Sequence, residues 1–278
     1  MNMLPGEGRN KILHTIVLTM LIYEYGKGIH LNRTDPPSIT SPVYVRDLID
    51  VNRQETMQLL SHITDSRHAK MTSFWDNKHS DLQSGVALSP TEKRITIVFR
   101  GSESLVDWIT DFRICLKTTS YGGVHTGFYD QLHYDNVCQS MISHVSALHH
   151  TYPSFSIYVT GHSLGGALAT LYGYELSLLL PNVDIQVITF GSPRVGDIRF
   201  QKAFEMREHL SCLRVANSRD PITVLPMFFY SHVGQELVLT ENGSSSCSCS
   251  CFHGTILSRF NPFDHLCETY YKRFCKSQ

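Results

Sequence analysis

Gly161-His-Ser-Leu-Gly165 sets a serine two residues from a glycine on either side, between the β-rich run 154–160 and a helix-forming run that opens at Leu164. That arrangement suits a strand-to-helix elbow, in which a sharp turn projects the Ser163 hydroxyl from a sheet toward a substrate. Gly161 and Gly165 carry no Cβ to collide with the chain folding back on the turn. A hydroxyl so placed can attack a carbonyl carbon once a base takes its proton and an acid orients the base. Asp220 suits the acid: it follows the strand-like run ending Arg214-Val-Ala-Asn217, and Pro221 behind it sets a turn. Of the histidines after Asp220, His265 is best placed, since Asn261-Pro-Phe-Asp-His265 opens the last helix from a loop. His232, at the start of a strand, stands second, and His253, in a Cys/Ser-rich stretch, stands last because a base needs a fixed position. His162, beside the serine, is expected to point away from the site as a packing residue. Backbone N–H groups must also meet the negative oxygen of a tetrahedral intermediate. Leu164, at the N-terminus of the elbow helix, is placed to supply one.

The elements that must hold these residues alternate. Strands are predicted at 95–99, 155–160, 184–190 and 211–216, and helices at 137–149, 164–180 and 200–209, a rhythm that predicts a mostly parallel sheet wrapped by helices. A later strand is expected at 232–240 and a closing helix at 263–274. At 278 residues and 42% hydrophobic, the chain suits one domain over 1–278, with an N-terminal helical portion over 1–83 packed on it. In the run Ile12 to Tyr23, Leu13, Ile16, Val17, Met20 and Leu21 recur at helical spacing. This run reads better as an amphipathic helix than as a signal peptide, which favours the cytoplasm, and it is too short to span a membrane. A net charge of -1 from 24 basic and 25 acidic residues suggests neither nucleic acid nor an anionic membrane surface as a partner. Cys115, Cys138, Cys212, Cys267 and Cys275 fall singly in apolar segments and read as buried free thiols. Cys247-Ser-Cys-Ser-Cys251 lies in a run, 242–254, that reads as a flexible loop and lacks the second ligand pair of a structural zinc site. No metal or organic cofactor is expected.

Val98-Phe-Arg-Gly-Ser102, Asp107-Trp108, Val124-His-Thr-Gly-Phe128, Gly161-His-Ser-Leu-Gly-Gly166, Gly191-Ser-Pro-Arg-Val-Gly196, Asn217-Ser-Arg-Asp-Pro221, Tyr230-Ser-His-Val-Gly-Gln-Glu236 and Asp264-His265 occur in this order. In combination, between about residues 84 and 265, they resemble the class 3 lipase family of fungal triacylglycerol lipases and their relatives. The resemblance implies an α/β-hydrolase fold, a Ser163, Asp220 and His265 triad, and a non-catalytic strand histidine at His232. It also implies that Ser102 joins Leu164 in an oxyanion hole. One departure concerns an aromatic residue that the family often carries one helical turn after the histidine; here that place holds Glu268, with Tyr270 further on. Leu105, Trp108, Ile109 and Phe112 recur at i, i+3, i+4 and i+7, as in a short amphipathic helix. The resemblance implies that this helix is a lid that opens at a lipid surface. The expected activity is hydrolysis of lipid esters through an acyl-enzyme, with triacylglycerol foremost. Phospholipase A1, diacylglycerol lipase, soluble carboxylesterase and a non-catalytic lipase-like binding protein are the alternatives.

Overall fold

The computed structural model describes residues 6–23, 43–44, 69–77, 79–102, 115–241, 245–249 and 260–276. Nine described strands form one sheet. Its antiparallel flank is β1 (Val43–Tyr44), β2 (Lys70–Asn77) and β3 (Leu82–Ser89), which leads into β4 (Arg94–Phe99). A separate hairpin is formed by β5 (Leu116–Thr119) and β6 (Gly122–His125). The centre is parallel: β4 is followed by β7 (Ser156–His162), β8 (Ile185–Phe190), β9 (Leu210–Asn217) and β10 (Gln235–Leu239). Strand β11 (Ser245–Cys249) pairs antiparallel to β10 at the far edge.

The central strands form because their β-branched and apolar residues are buried on both faces. Arg94-Ile-Thr-Ile-Val-Phe99 is buried throughout, as is all of β7 after its first residue. Helices cover the two faces. On one side lie α2 (Thr126–His133), α3 (Val137–Thr151) and α4 (Leu164–Leu179), which contribute Phe128, Met141, Leu168 and Tyr172 to a common core, together with α5 (Ile198–Glu205) through Phe200. On the other side α1 (Gly6–Leu21) and α6 (Cys267–Lys276) pack together, placing Ile16, Val17, Tyr270 and Phe274 in a second core. Arg9 ties the two helices by donating to the carbonyls of Phe274 and Cys275, each at 3.3 Å.

Several expectations change. The N-terminal portion 1–83 is not uniformly helical, because β2 and the start of β3 belong to the central sheet. Helix α1 forms but is buried around most of its girth, with Ile12, Leu18 and Leu21 inside and Leu13 and Met20 only partly covered, since it lies between the sheet and α6. Part of the 242–254 run is strand rather than loop, because β10 offers a free edge to residues 245–249. The expected strand 232–240 narrows to 235–239, and the expected helix 200–209 becomes 198–205, with the Asp197 carboxylate capping its first turn. The closing helix is two pieces, a 3₁₀ turn at Pro262–His265 and then α6. Cys138 and Cys212 are buried free thiols as expected, but Cys115 is exposed.

Burial and the nearby Arg94 charge lower the pKa of His14 on α1 from 6.5 to about 3, and its Nε2 is buried without a partner. The unfolded chain takes up a proton there near pH 6.5 and the folded one does not. The neutral ring's contribution is therefore full above pH 6.5 and is lost as pH falls toward about 3, at about 1.4 kcal/mol per pH unit. Urea unfolding at about pH 7 and about pH 5 should show a shallower acid loss of stability in His14→Leu than in the parent.

Candidate active site

The site is built where β7 turns into α4. Ser163 occupies the turn at φ 57°, ψ -127°, a conformation that L-residues avoid, and its N–H donates to the Phe190 carbonyl at 2.9 Å. The turn is this tight because its neighbours are glycines. A Cβ on Gly161 would lie 2.3 Å from the Gly165 backbone, and one on Gly165 would lie 2.4 Å from the Phe99 carbonyl oxygen. Gly101, just past β4, makes a third close approach: its Cβ would fall 2.6 Å from the His162 carbonyl and 3.3 Å from the Ser163 Cβ. That contact sets Ser102 beside the turn. Leu164 is the first residue of α4, where a helix N–H has no intrahelical acceptor and the dipole favours an anion.

Asp220 and His265 meet over the end of β8. The Nδ1 of His265 lies 2.8 Å from one Asp220 carboxylate oxygen and 3.0 Å from the other. Facing a carboxylate, Nδ1 carries the proton, which leaves the lone pair on Nε2. That nitrogen is buried and has no hydrogen-bond partner. Gly191, at φ 60°, makes room for the pair, since a Cβ there would sit 2.9 Å from the Asp220 Oδ2 and 3.1 Å from the His265 ring. Asp220 also accepts from the Ile222 N–H at 2.8 Å and from the Tyr270 hydroxyl at 2.5 Å. The structure thus brings Asp220 to His265 and holds Ser163 in the elbow, but no hydrogen bond joins Ser163 to His265.

Three residues supporting His265 were not singled out from sequence as parts of the site. Asp264 is clasped by Arg273 through two hydrogen bonds of 2.8 and 2.9 Å, and its carbonyl accepts from the Asn217 side chain at 2.7 Å. Tyr270 lies two positions beyond the aromatic place of the family pattern, yet its hydroxyl bridges the Asp220 carboxylate and the Asn217 N–H. His162 does not point away as expected. It is buried, its ring lies 4.6 Å from that of His265, and its Nε2 donates to the His265 carbonyl at 2.6 Å. Burial and the neighbouring His265 ring keep His162 neutral, with its pKa well below the ordinary value. Nδ1 is then an acceptor for the Tyr23 hydroxyl at 3.0 Å, and that hydroxyl accepts from the Gly101 N–H at 3.2 Å. This chain joins α1, the Gly101 turn and the His265 backbone, and only a spacing across the whole sequence could have suggested it.

His232 is elsewhere. Its Nε2 donates to the Thr223 carbonyl at 2.6 Å, and burial with the charges of Arg214 and Arg194 holds it neutral, so it does not compete for Asp220. His253, Cys251 and the amphipathic run Leu105, Trp108, Ile109 and Phe112 lie outside the described residues.

Residues 96–230 match the family model described as lipase (class 3). Over that stretch, just under half of its length, the chain matches the class 3 lipase family. It is 34% identical over 189 residues to a lipase of Rhizomucor miehei, covering 65% of this chain and 51% of that protein. A phospholipase A1-II 3 of Oryza sativa is 32% identical over 191 residues, covering 58% and 45%. A secreted mono- and diacylglycerol lipase of Fusarium solani is 36% identical over 156 residues, covering 54% and 45%. The chain thus spans about half the length of the curated relatives it matches. A solved structure of the Rhizomucor miehei triacylglyceride lipase aligns with a TM-score of 0.74 at 25% identity, covering 95% of each chain. The α/β-hydrolase fold follows. The preference for the cytoplasm is corrected: the secreted Fusarium relative points to secretion. Burial of the run 12–23 reflects packing on the sheet and carries no information about compartment. Among the described residues no helix is long and apolar enough to cross a membrane.

Tyr270→Phe removes a hydrogen bond to a buried carboxylate, a loss of about 1.5–3 kcal/mol. Thermal melting should show the lower stability, and His265, less firmly oriented, should lower kcat about 10-fold on a soluble ester.

Proposed function

We propose that this protein hydrolyses carboxylic esters of lipids through an acyl-enzyme on Ser163. His265 takes the Ser163 proton on Nε2 while Asp220 holds Nδ1–H and offsets the positive charge that develops on the ring. The hydroxyl oxygen adds to the ester carbonyl, and the backbone N–H groups of Leu164 and Ser102 receive the oxyanion. His265 then gives its proton to the departing alcohol. Water repeats the sequence and releases the fatty acid. What supports this is the state of the His265 ring, with one nitrogen fixed on a buried carboxylate and the other buried with no partner, together with a serine held at φ 57° in the elbow. Ser163→Ala should lower turnover of a short-chain p-nitrophenyl ester by at least about 10⁴-fold and abolish labelling by a fluorophosphonate probe. Full turnover in that variant would remove the assignment.

Triacylglycerol is the favoured substrate class, in line with the Rhizomucor relative, and phospholipid is the second, because the Oryza relative is a phospholipase A1. Leu105, Trp108, Ile109 and Phe112 form the proposed lid. Contact with lipid is also favoured by Phe263 and Leu266, which flank the buried His265 and are 73% and 50% exposed. Phe263→Ser should therefore lower the ratio of turnover on emulsified triacylglycerol to turnover on a soluble ester, measured side by side.

A further inference from the structure

Away from the elbow, three side chains with metal-ligating atoms converge where α2, α3 and α4 meet. His133 is the last residue of α2, Cys138 the second of α3, and Glu175 lies on the fourth turn of α4. The His133 Nε2 is 2.8 Å from one Glu175 oxygen, the Cys138 Sγ is 3.3 Å from the other, and all three ligand atoms lie within 4.8 Å of one another. The chain between the two helices makes this possible. Asp135 and Asn136 take consecutive left-handed conformations, φ 53° and 58°, and fold α3 back so that His133 and Cys138 reach the same carboxylate. The ring of Tyr129 stacks on His133 at 4.1 Å, and the Tyr121 hydroxyl donates to Glu175 at 2.9 Å. Both partners hold the donors in place from outside, as the supporting groups of metal ligands do.

We propose that His133, Cys138 and Glu175 form a Zn²⁺ site that ties the junction of α2 and α3 to the elbow helix. Sulfur, imidazole nitrogen and carboxylate oxygen are the donor set that zinc accepts. At ordinary zinc-ligand distances, tetrahedral ligands stand about 3.3–3.6 Å apart, so small adjustments of the three side chains admit the ion. Cys138 is buried, while the His133 and Glu175 side chains are 30% and 14% exposed and open a path from solvent. The fourth position falls to water or the Tyr121 hydroxyl. On binding, the Cys138 S–H bond gives way to a Zn–S bond and its proton goes to solvent, while His133 offers the Nε2 lone pair with its proton on Nδ1. Thiolate and carboxylate together balance the charge of the ion.

The test uses full-length protein treated with chelator and then titrated with Co²⁺ as a spectroscopic probe. One ion per chain should produce a thiolate-to-cobalt charge-transfer band and tetrahedral d–d absorption, both bleached by Zn²⁺. Cys138→Ser should lose the charge-transfer band, and His133→Ala, altered at a partly exposed position, should bind at least about 10-fold more weakly. Zn²⁺ should also raise the melting temperature of the parent protein and not that of Cys138→Ser. Parent protein that keeps its circular dichroism spectrum yet shows no charge-transfer band would overturn the proposal. So would a band that survives in Cys138→Ser and vanishes when Cys247, Cys249 and Cys251 are replaced by serine.

Discussion

The close approach of three backbone segments around Ser163 is the constraint on which the rest of the site depends. The end of β7, the first turn of α4 and the turn after β4 touch so tightly that Gly161, Gly165 and Gly101 have no room for a side chain. Ser163 sits at the centre of that contact and takes the strain, in a conformation that the surrounding packing enforces rather than local preference. A looser meeting of strand and helix would relax the turn and drop the hydroxyl into the sheet. The same contact brings Ser102 and Leu164 alongside, so the proposed nucleophile and the proposed oxyanion donors follow from one steric fact.

Asp220 plays the corresponding part for the proposed base. Its two oxygens receive His265, Tyr270 and the Ile222 N–H, so little of the carboxylate is left free to drift. The loop carrying His265 is pinned from the other side by the Arg273–Asp264 pair and by Asn217. Breaking one partner of such a buried pair strands a charge, which is why α6 acts as part of the site although none of its residues meets a substrate in the proposed mechanism. Through His162 and Tyr23 the same loop is connected to α1 and to the Gly101 turn, so the two helices on one face of the sheet brace both ends of the proposed chemistry.

Much of this was legible beforehand where the signal is local. The glycine spacing at the elbow, the β-branched central strands and the helix after Ser163 all follow from neighbours along the chain. Asp220 and His265 were legible from their places after a strand and before a helix, with the family motifs in support. The flanking strands β2 and β3 were not recognised. Lys70–Asn77 is anchored by pairing with β3 and burial against α1, neither of which sequence neighbours reveal. The region 242–254 misled for the same reason: its serines and glycine suggest loop, but the open edge of β10 recruits 245–249 as strand.

Sequence alone determined which residues can do chemistry: a serine between glycines, an aspartate at a strand end and a histidine ahead of the last helix, because those requirements are steric and local. Tertiary structure decided which partners those residues keep. Tyr270 finds Asp220 although it stands two places late in the pattern, since the 3₁₀ turn before α6 resets the helix phase. His162 turns toward His265 rather than away, and His133, Cys138 and Glu175 meet across three helices, 42 residues apart from first to last. Such meetings depend on how helices cross and where a loop is anchored, and those are set by the packing of the whole sheet.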